Sequence, residues 1–130
     1  MGEQRKSNLR RDSMPEHRRL RLTRAGDVLI LEFVDSRLSS DLADEIGEEF
    51  RAAAAREEVK KILLDFSGVD SACSNLIGNL VILNKRMREI GGRLKLCGIC
   101  PYVRQILAMT KFDAVLDIAE NRTDALLAFS

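Results

Sequence analysis

The stretch from residue 63 to residue 80 reads LLDFSGVDSACSNLIGNL and decides the fold prediction. It opens inside a mostly apolar run, residues 61–66, which has the length and composition of a strand buried in the middle of a sheet. The polar segment that follows, residues 67–70, has the composition of a turn. From Ser74 onwards, apolar residues recur at helical spacing, which predicts an amphipathic helix as far as about Ile90. The chain is therefore predicted to pass from strand through turn to helix within this stretch.

The chain after this helix continues the same alternation. The pair Gly91-Gly92 ends the helix, and a strand over residues 93–97 completes a strand–helix–strand unit with the length of a right-handed parallel crossover. Beyond it we predict a helix whose first turn begins at Pro101, a short strand at residues 115–116 and a last helix over residues 122–129.

The chain before this stretch starts with two strands. Residues 19–23 alternate polar and apolar side chains, and residues 28–33 form a more apolar run after a short turn, which is typical of a hairpin. An amphipathic helix containing the Ala52–Ala55 run follows, and Ser40 or Asp41 is expected to cap it. The order is β-β-α-β-α-β-α-β-α. We therefore predict an α/β fold in which a mixed sheet of about four or five strands is flanked by about four helices.

The composition is that of one soluble domain. The 130 residues are 45% hydrophobic and 32% charged. No apolar run approaches the ~20 residues of a membrane-spanning helix, and the polar start is not a secretory signal, so we expect a cytoplasmic protein without a membrane span.

The charge is distributed unevenly along the chain. Residues 1–24 carry eight Lys or Arg against three Asp or Glu, a balance of +5, whereas the rest of the chain balances at −4. We therefore predict a flexible basic arm over residues 1–17, followed by one domain over residues 18–130. Because an acidic domain would repel phosphate backbones, no direct contact with nucleic acid is expected.

Catalytic motifs are scarce in the chain. The one histidine, His17, falls in the predicted arm, so it is poorly placed for a Ser-His-Asp or Cys-His arrangement. No P-loop or GxGxxG spacing for a phosphate group occurs. We predict that the chain is not an enzyme and that it needs no cofactor and no metal.

The pattern Cys97-Gly98-Ile99-Cys100 has the C-x-x-C spacing that redox enzymes use. With Cys73 the cysteines number three, an odd number that argues against a disulfide framework. Pro101 would place Cys100, and not Cys97, at a helix cap, and Cys97 falls within a strand pattern. Packed thiols near the end of a strand are therefore the preferred interpretation, and a redox or metal site is the alternative.

Two interpretations apply to Ser74, which falls at the start of the long helix. Its hydroxyl can cap the helix by accepting a bond from a first-turn N–H, or a phosphate on it can lie favourably at the positive end of the helix. Helical spacing places Gly78 and Ile82 on the same face, with Asn75 and Asn79 alongside. Gly78 costs the helix about 1 kcal/mol relative to Ala. A close approach to its backbone, by the core or by a partner, would explain that cost.

Several segments together resemble the STAS domains of bacterial anti-sigma-factor antagonists. They are LLDFSGV, the helix start at Ser74 with Leu76-Ile77-Gly78, and GGRLKLCGICPYVRQILAMTKFDAVLDI. Such domains typically carry an apolar strand ending in D-[FL]-S-x-V, a D-S-[ST]-G-[LI]-G segment, a GG-x-L strand, and a helix with V-x-x-[IV]-L before T-x-[LF]. The resemblance covers about residues 19–129 and implies a single STAS-type domain.

The resemblance also implies a function in partner switching. In this family the unphosphorylated antagonist binds a serine kinase that doubles as an anti-sigma factor, phosphorylation breaks the complex, and a serine phosphatase restores it. The phospho-acceptor serine at the start of the second helix falls on Ser74, and the kinase, not this chain, would bind ATP. The residues expected to form the partner-binding surface are Asp70, Cys73, Asn75, Gly78, Asn79 and Ile82.

The chain departs from the family pattern around the acceptor serine. Cys73 replaces the acidic residue that usually precedes the acceptor, Asn75 replaces a Ser or Thr, and Leu76 replaces a glycine. Asp70, three residues before Cys73, is the candidate substitute for the missing charge. These departures leave an alternative, in which the chain is an unphosphorylated STAS scaffold or adaptor subunit of a stress-sensing or transporter complex.

Overall fold

The computed structural model describes residues 19–56 and 58–129, so the predicted arm, residues 1–17, lies outside the described residues. The strands in the described part of the chain are β1 (Leu20–Ala25), β2 (Val28–Phe33), β3 (Arg37–Leu38), β4 (Lys61–Asp65), β5 (Ser71–Ala72), β6 (Arg93–Cys97) and β7 (Ile118–Ala119). The helices are α1 (Ser40–Ala54), α2 (Ser74–Glu89), α3 (Pro101–Met109) and α4 (Arg122–Phe129), with a 3-10 turn at Phe112–Ala114.

Five of the strands form the main sheet, in the order β1-β2-β4-β6-β7. β1 and β2 pair antiparallel, as the predicted hairpin requires, and the other neighbours run parallel. Because parallel neighbours need a crossover connection, α1 links β2 to β4 and α2 links β4 to β6. A mixed sheet of five strands with four helices confirms the predicted α/β fold.

The core lies on both faces of this sheet. On one face α1, α2 and α3 pack against the strands in the larger cluster, and on the other face α4 packs through Ala125 and Phe129 against Val28, Ile30 and Leu63. β2 and β4 are therefore covered on both sides, which explains why their sequences are apolar runs rather than alternations. In the described part of the chain, every helix is too short or too polar to cross a membrane.

The predicted strand at residues 115–116 is wrong. The Leu116 N–H donates to the Phe112 carbonyl at 2.9 Å, so the backbone there is still turning after the 3-10 turn. Leu116 is apolar because its side chain is buried in the core, 4% exposed. The strand begins two residues later, at Ile118, and pairs with the end of β6.

Two shorter features also differ from the sequence predictions. Ser39, and not Ser40 or Asp41, occupies the N-cap position of α1, and its side chain makes no capping bond. β3 and β5 form a second, two-stranded parallel sheet that the sequence analysis did not predict. Two residues are too few to show the alternation by which a strand is recognised. This small sheet is important because β5 ends two residues before the start of α2 and so positions that start.

Candidate functional site

The turn between β4 and α2 is fixed at both ends. At its start, the Asp65 carboxylate accepts hydrogen bonds from the N–H of Ser67, at 2.9 Å, and from the Ser67 hydroxyl. At its end, the Cys73 N–H donates to the Leu38 carbonyl at 2.9 Å, which extends the pairing of β5 with β3. The first turn of α2 therefore has a defined position relative to the main sheet.

The Asp65 carboxylate is buried and also receives a second set of bonds. Arg122, the first residue of α4, donates through Nε and Nη2 to Asp65 Oδ2 at 2.9 and 2.7 Å, and its Nη2 lies 2.7 Å from Glu32 Oε2. Burial alone would raise the pKa of Asp65. Hydrogen bonds from Ser67 and Arg122 outweigh burial and hold that pKa below its ordinary value. The carboxylate therefore stays charged and ties together β4, the turn and α4.

Cys73, and not Ser74, caps helix α2. The Cys73 Sγ accepts a hydrogen bond from the Leu76 N–H at 3.4 Å, and Cys73 has the extended backbone of an N-cap residue. Ser74 is the first helical residue and is exposed. No hydrogen bond between the described residues uses its hydroxyl, so the interpretation of Ser74 as the helix cap is wrong. The first residue of α2 therefore presents its hydroxyl at the surface, with no hydrogen-bond partner within residues 19–56 and 58–129.

The outer side of α2 carries three of the six predicted partner-binding residues, Asn75, Gly78 and Ile82. Asn75 is exposed, and Ile82 is 59% exposed, a large value for an isoleucine. A Cβ added at Gly78 would meet nothing within 4 Å, so close packing by the core does not explain this glycine. We call Ser74, Asn75, Gly78 and Ile82 the Ser74 face. Asp70, also exposed, lies on the turn just before β5.

The fold agrees with the comparisons to known proteins. The sequence model of the STAS domain matches residues 19–125. The chain belongs to the STAS domain family. An anti-sigma-factor antagonist STAS domain protein from Planctomyces limnophilus is 32% identical to this STAS domain, with a TM-score of 0.78, and the match covers 84% of this chain and 96% of that one. BtrV of Bordetella bronchiseptica, a protein named for an anti-sigma factor antagonist role, is 24% identical over 103 residues, which are 79% of this chain and 88% of BtrV.

The Bacillus protein SpoIIAA shares the fold of this STAS domain at low sequence identity. Its unphosphorylated form has a TM-score of 0.66 at 14% identity, over 84% of this chain and 94% of that one. Its phosphorylated form has the same TM-score and identity, over 85% of this chain and 99% of that one.

Asn79 has an internal partner in this STAS domain. Its amide donates to the Ala43 carbonyl of α1 at 2.9 Å. Gly47, one turn further along α1, leaves room for this amide, because a Cβ at residue 47 would lie 2.9 Å from Asn79 Nδ2. Asn79 therefore joins α1 to α2, and its predicted contact with a partner stays a prediction.

Sequence reasoning missed three residues that shape the site: Asp65, Arg122 and Gly47. A charged residue at the end of an apolar strand indicates that a compensating group is needed, because burying an unpaired charge is costly. That signal was present at Asp65. It does not say which of the many cations pairs with it, and Arg122 lies 57 residues away in the chain. Gly47 carries the same signal as Gly78, a glycine inside a helix, but its neighbour belongs to another element.

The cysteine pattern lies on the other side of the same turn. Cys97 is fully buried in β6, and desolvation, with the Asp65 charge adding to it, raises the pKa of its thiol to about 12. Cys100 occupies the N-cap position of α3, as predicted, and its Sγ lies 3.5 Å from the Asp70 carbonyl. A redox pair needs both sulfurs to be accessible for thiol–disulfide exchange. Because Cys97 is buried, the geometry favours packed thiols. Among residues 19–56 and 58–129, no group of three or more His, Cys, Asp or Glu side chains is arranged to hold a metal ion.

Proposed function

We propose that this STAS domain is an anti-sigma-factor antagonist that sequesters an anti-sigma serine kinase while Ser74 is unphosphorylated. The observation that carries the proposal is the position of Ser74, exposed at the first residue of α2 with its hydroxyl free of capping duty because Cys73 caps the helix. The two relatives named as anti-sigma-factor antagonists support the same role. The fold shared with SpoIIAA in both of its phosphorylation states is consistent with it.

A phosphate on Ser74 would change the surface without disturbing the fold. It would add about −1.5 to −2 charges at the positive end of a helix, where an anion is favourable. The first turn of α2 contains no acidic residue, and the sequence neighbours Cys73 and Asn75 are neutral. Phosphorylation would therefore add negative charge to a first turn of α2 that carries no acidic residue. A partner packed closely against the Ser74 face would lose its complementarity.

The kinase and this STAS domain have separate roles in this proposal. The kinase supplies the ATP site and the phosphoryl-transfer chemistry, and a serine phosphatase reverses the modification. This chain supplies the acceptor serine and the partner-binding surface in the cytoplasm, and we assign it no catalytic step. The surface consists of the Ser74 face together with Asp70, Cys73 and Asn79.

The proposal is tested by a pull-down from lysate of the native organism. Wild type, Ser74→Ala and Ser74→Asp serve as baits after circular dichroism has shown that all three fold alike, and mass spectrometry identifies the retained proteins. We expect an ATP-binding serine kinase that the Ala variant retains and the Asp variant loses. The same partners on all three baits would overturn the switch and support the alternative of an unphosphorylated scaffold or adaptor.

A further inference from the structure

A groove of about 340 Å³ lies between α1 and α2, beside the Ser74 face. Its floor is apolar and buried, formed by Phe50, Ala54 and Leu83. At its rim stands Ile82, which exposes 59% of its surface and belongs to both the groove and the Ser74 face. Buried apolar surface next to an exposed isoleucine is the usual composition of a site for an apolar side chain. We call this feature the α1–α2 groove.

The shape of the groove follows from how the two helices meet. Gly47 and Asn79 also line it, and there the Asn79 amide reaches across to the Ala43 carbonyl of α1, so this part is held together by a hydrogen bond. At the C-terminal end of α1 the groove is lined by the small side chains of Ala54 and of the C-cap residue Ala55, together with Leu83 of α2. The groove is therefore a built feature of the helix pair and not a gap at a loop.

The charges around the groove have one sign. Its charged lining residues are Arg51 and Arg86, and no Asp or Glu in the described part of the chain lines it. Arg51 lies in the last turn of α1 and Arg86 in the last turn of α2, so both arginines lie at the same end of the parallel helix pair. A ligand with an apolar side chain and a nearby carboxylate complements this arrangement.

We propose that the α1–α2 groove binds an acidic amphipathic segment of a partner protein, with an apolar side chain packed beside Ile82 and carboxylates facing Arg51 and Arg86. Ile82 lies eight residues from Ser74, which is about 12 Å along a helix, so one partner can cover both the groove and the Ser74 face. The proposal deepens the proposed function and rests on it for the identity of the partner. The chemistry of the segment follows from the groove itself.

The test uses a synthetic peptide probe and does not need the natural partner. The probe is a short amphipathic helix with leucines on one face and glutamates flanking them, titrated into ¹⁵N-labelled full-length protein. Two control peptides replace the leucines by alanine or the glutamates by lysine. We expect chemical-shift changes that cluster at Gly47, Ile82 and Leu83 with the first peptide, and weak or absent binding of both controls.

Charge-reversal variants give the second arm of this test. Arg51→Glu combined with Arg86→Glu is expected to weaken binding of the acidic peptide by at least about tenfold, because two rim cations become repulsive. Lys85→Glu combined with Arg88→Glu is the matched control. It changes the net charge by the same amount on exposed positions of α2 outside the groove, and we expect it to leave binding almost unchanged.

Three results would overturn the groove proposal. They are no binding of the acidic peptide, shift changes centred outside the groove, and equal weakening by the two charge-reversal pairs. None of them involves Ser74. If the peptide binds as expected while the Ser74 baits retain identical partners, the groove stands and the phosphorylation switch fails.

Discussion

The Asp65 carboxylate receives hydrogen bonds from two directions, from the turn at Ser67 and from the Arg122 guanidinium. It is 5% exposed, and Arg122 is partly open to solvent. Each donor satisfies an oxygen that would otherwise be buried without a partner, which is costly. Directly across from Ser67, Gly98 has a φ of +69° and a Cβ there would lie 2.6 Å from Ser67 Oγ. This one carboxylate and its donors therefore fix the start of the turn before Ser74.

We predict that Asp65→Asn lowers the free energy of unfolding by about 2–3 kcal/mol. Removing one member of a buried pair costs more, about 3–5 kcal/mol, but the partly exposed Arg122 guanidinium can still be hydrated. Urea unfolding at neutral pH measures the change. Asp27→Asn, which breaks an exposed ion pair with Lys61, is the control and should have a much smaller effect.

Wild type and Asp65→Asn should also differ in how their stability depends on pH, and the direction of that difference can be predicted. The pKa of Asp65 is lowered in the folded state, so its charge stabilises the fold above the unfolded pKa of about 3.9 and the stabilisation is lost as the pH falls through the folded value. The stability difference between wild type and Asp65→Asn should therefore be constant from pH 7 to about pH 5 and shrink below pH 4. A difference that grows on acidification would contradict the assignment.

The buried thiol of Cys97 leads to a separate prediction. With a pKa of about 12, only about one thiol in ten thousand is ionised at pH 8. Ellman's reagent should react with the partly buried Cys73 and Cys100 first and with Cys97 only after unfolding, as mass mapping of the modified residues would show. Fast modification of Cys97 in the folded protein, or a Cys97–Cys100 disulfide under mild oxidation, would revive the redox interpretation.

At the scale of elements, α1 and α2 form the unit that presents the site. Each contains one glycine within its helix, and the two glycines have opposite surroundings. Gly47 faces the amide of Asn79, whereas Gly78 faces open space. Packing inside the domain explains Gly47. No contact between the described residues explains Gly78.

We predict that the effect of Gly47→Ala on stability has opposite signs in wild type and in the Asn79→Ala variant. In wild type the added methyl group displaces the Asn79 amide from the Ala43 carbonyl, and the loss should exceed the gain in helix propensity and destabilise by about 1 kcal/mol. In the Asn79→Ala background the obstacle is gone, so the same substitution should stabilise by up to about 1 kcal/mol. Chemical denaturation of the four proteins in this cycle measures the coupling. Additive effects would show that the two residues do not share this contact.

Gly78→Ala is expected to separate stability from binding. The free space at this position lets alanine stabilise α2 by up to about 1 kcal/mol in the isolated domain. A methyl group on the Ser74 face should at the same time weaken binding of the partner that the Ser74→Ala bait retains. Lys85→Ala, an exposed change on the same helix outside the proposed surface, is the binding control. Weaker stability of Gly78→Ala would mean that the space is not free.

At the scale of the whole molecule, the site draws on both faces of the sheet. α2 and its neighbours lie on one face, and α4, whose Arg122 holds Asp65, packs on the other. The small β3–β5 sheet fixes the far end of the turn. The surface around Ser74 is therefore stabilised by contacts from several elements of the fold. We expect phosphorylation to act through local electrostatics and to leave the fold unchanged.

The sequence predicted those parts of this arrangement that are local in the chain. The strand–turn–helix passage at residues 63–80 has a periodicity of its own, so the main strands and the place of Ser74 could be predicted. β3 and β5 are too short for such a signal, and the apolar Leu116 belongs to the core without belonging to a strand. The pairs Asp65–Arg122 and Gly47–Asn79 join distant parts of the chain, and only packing decides them.

The central claim is tested most directly by measuring how the purified kinase partner binds this domain before and after phosphorylation. The kinase retained by Ser74→Ala is incubated with the wild-type protein and ATP, mass spectrometry locates the phosphate, and isothermal titration gives both affinities. We predict one phosphate on Ser74 and binding weaker by at least about a hundredfold, or about 2.7 kcal/mol. A phosphate on another residue, or equal affinities for the two forms, would contradict it.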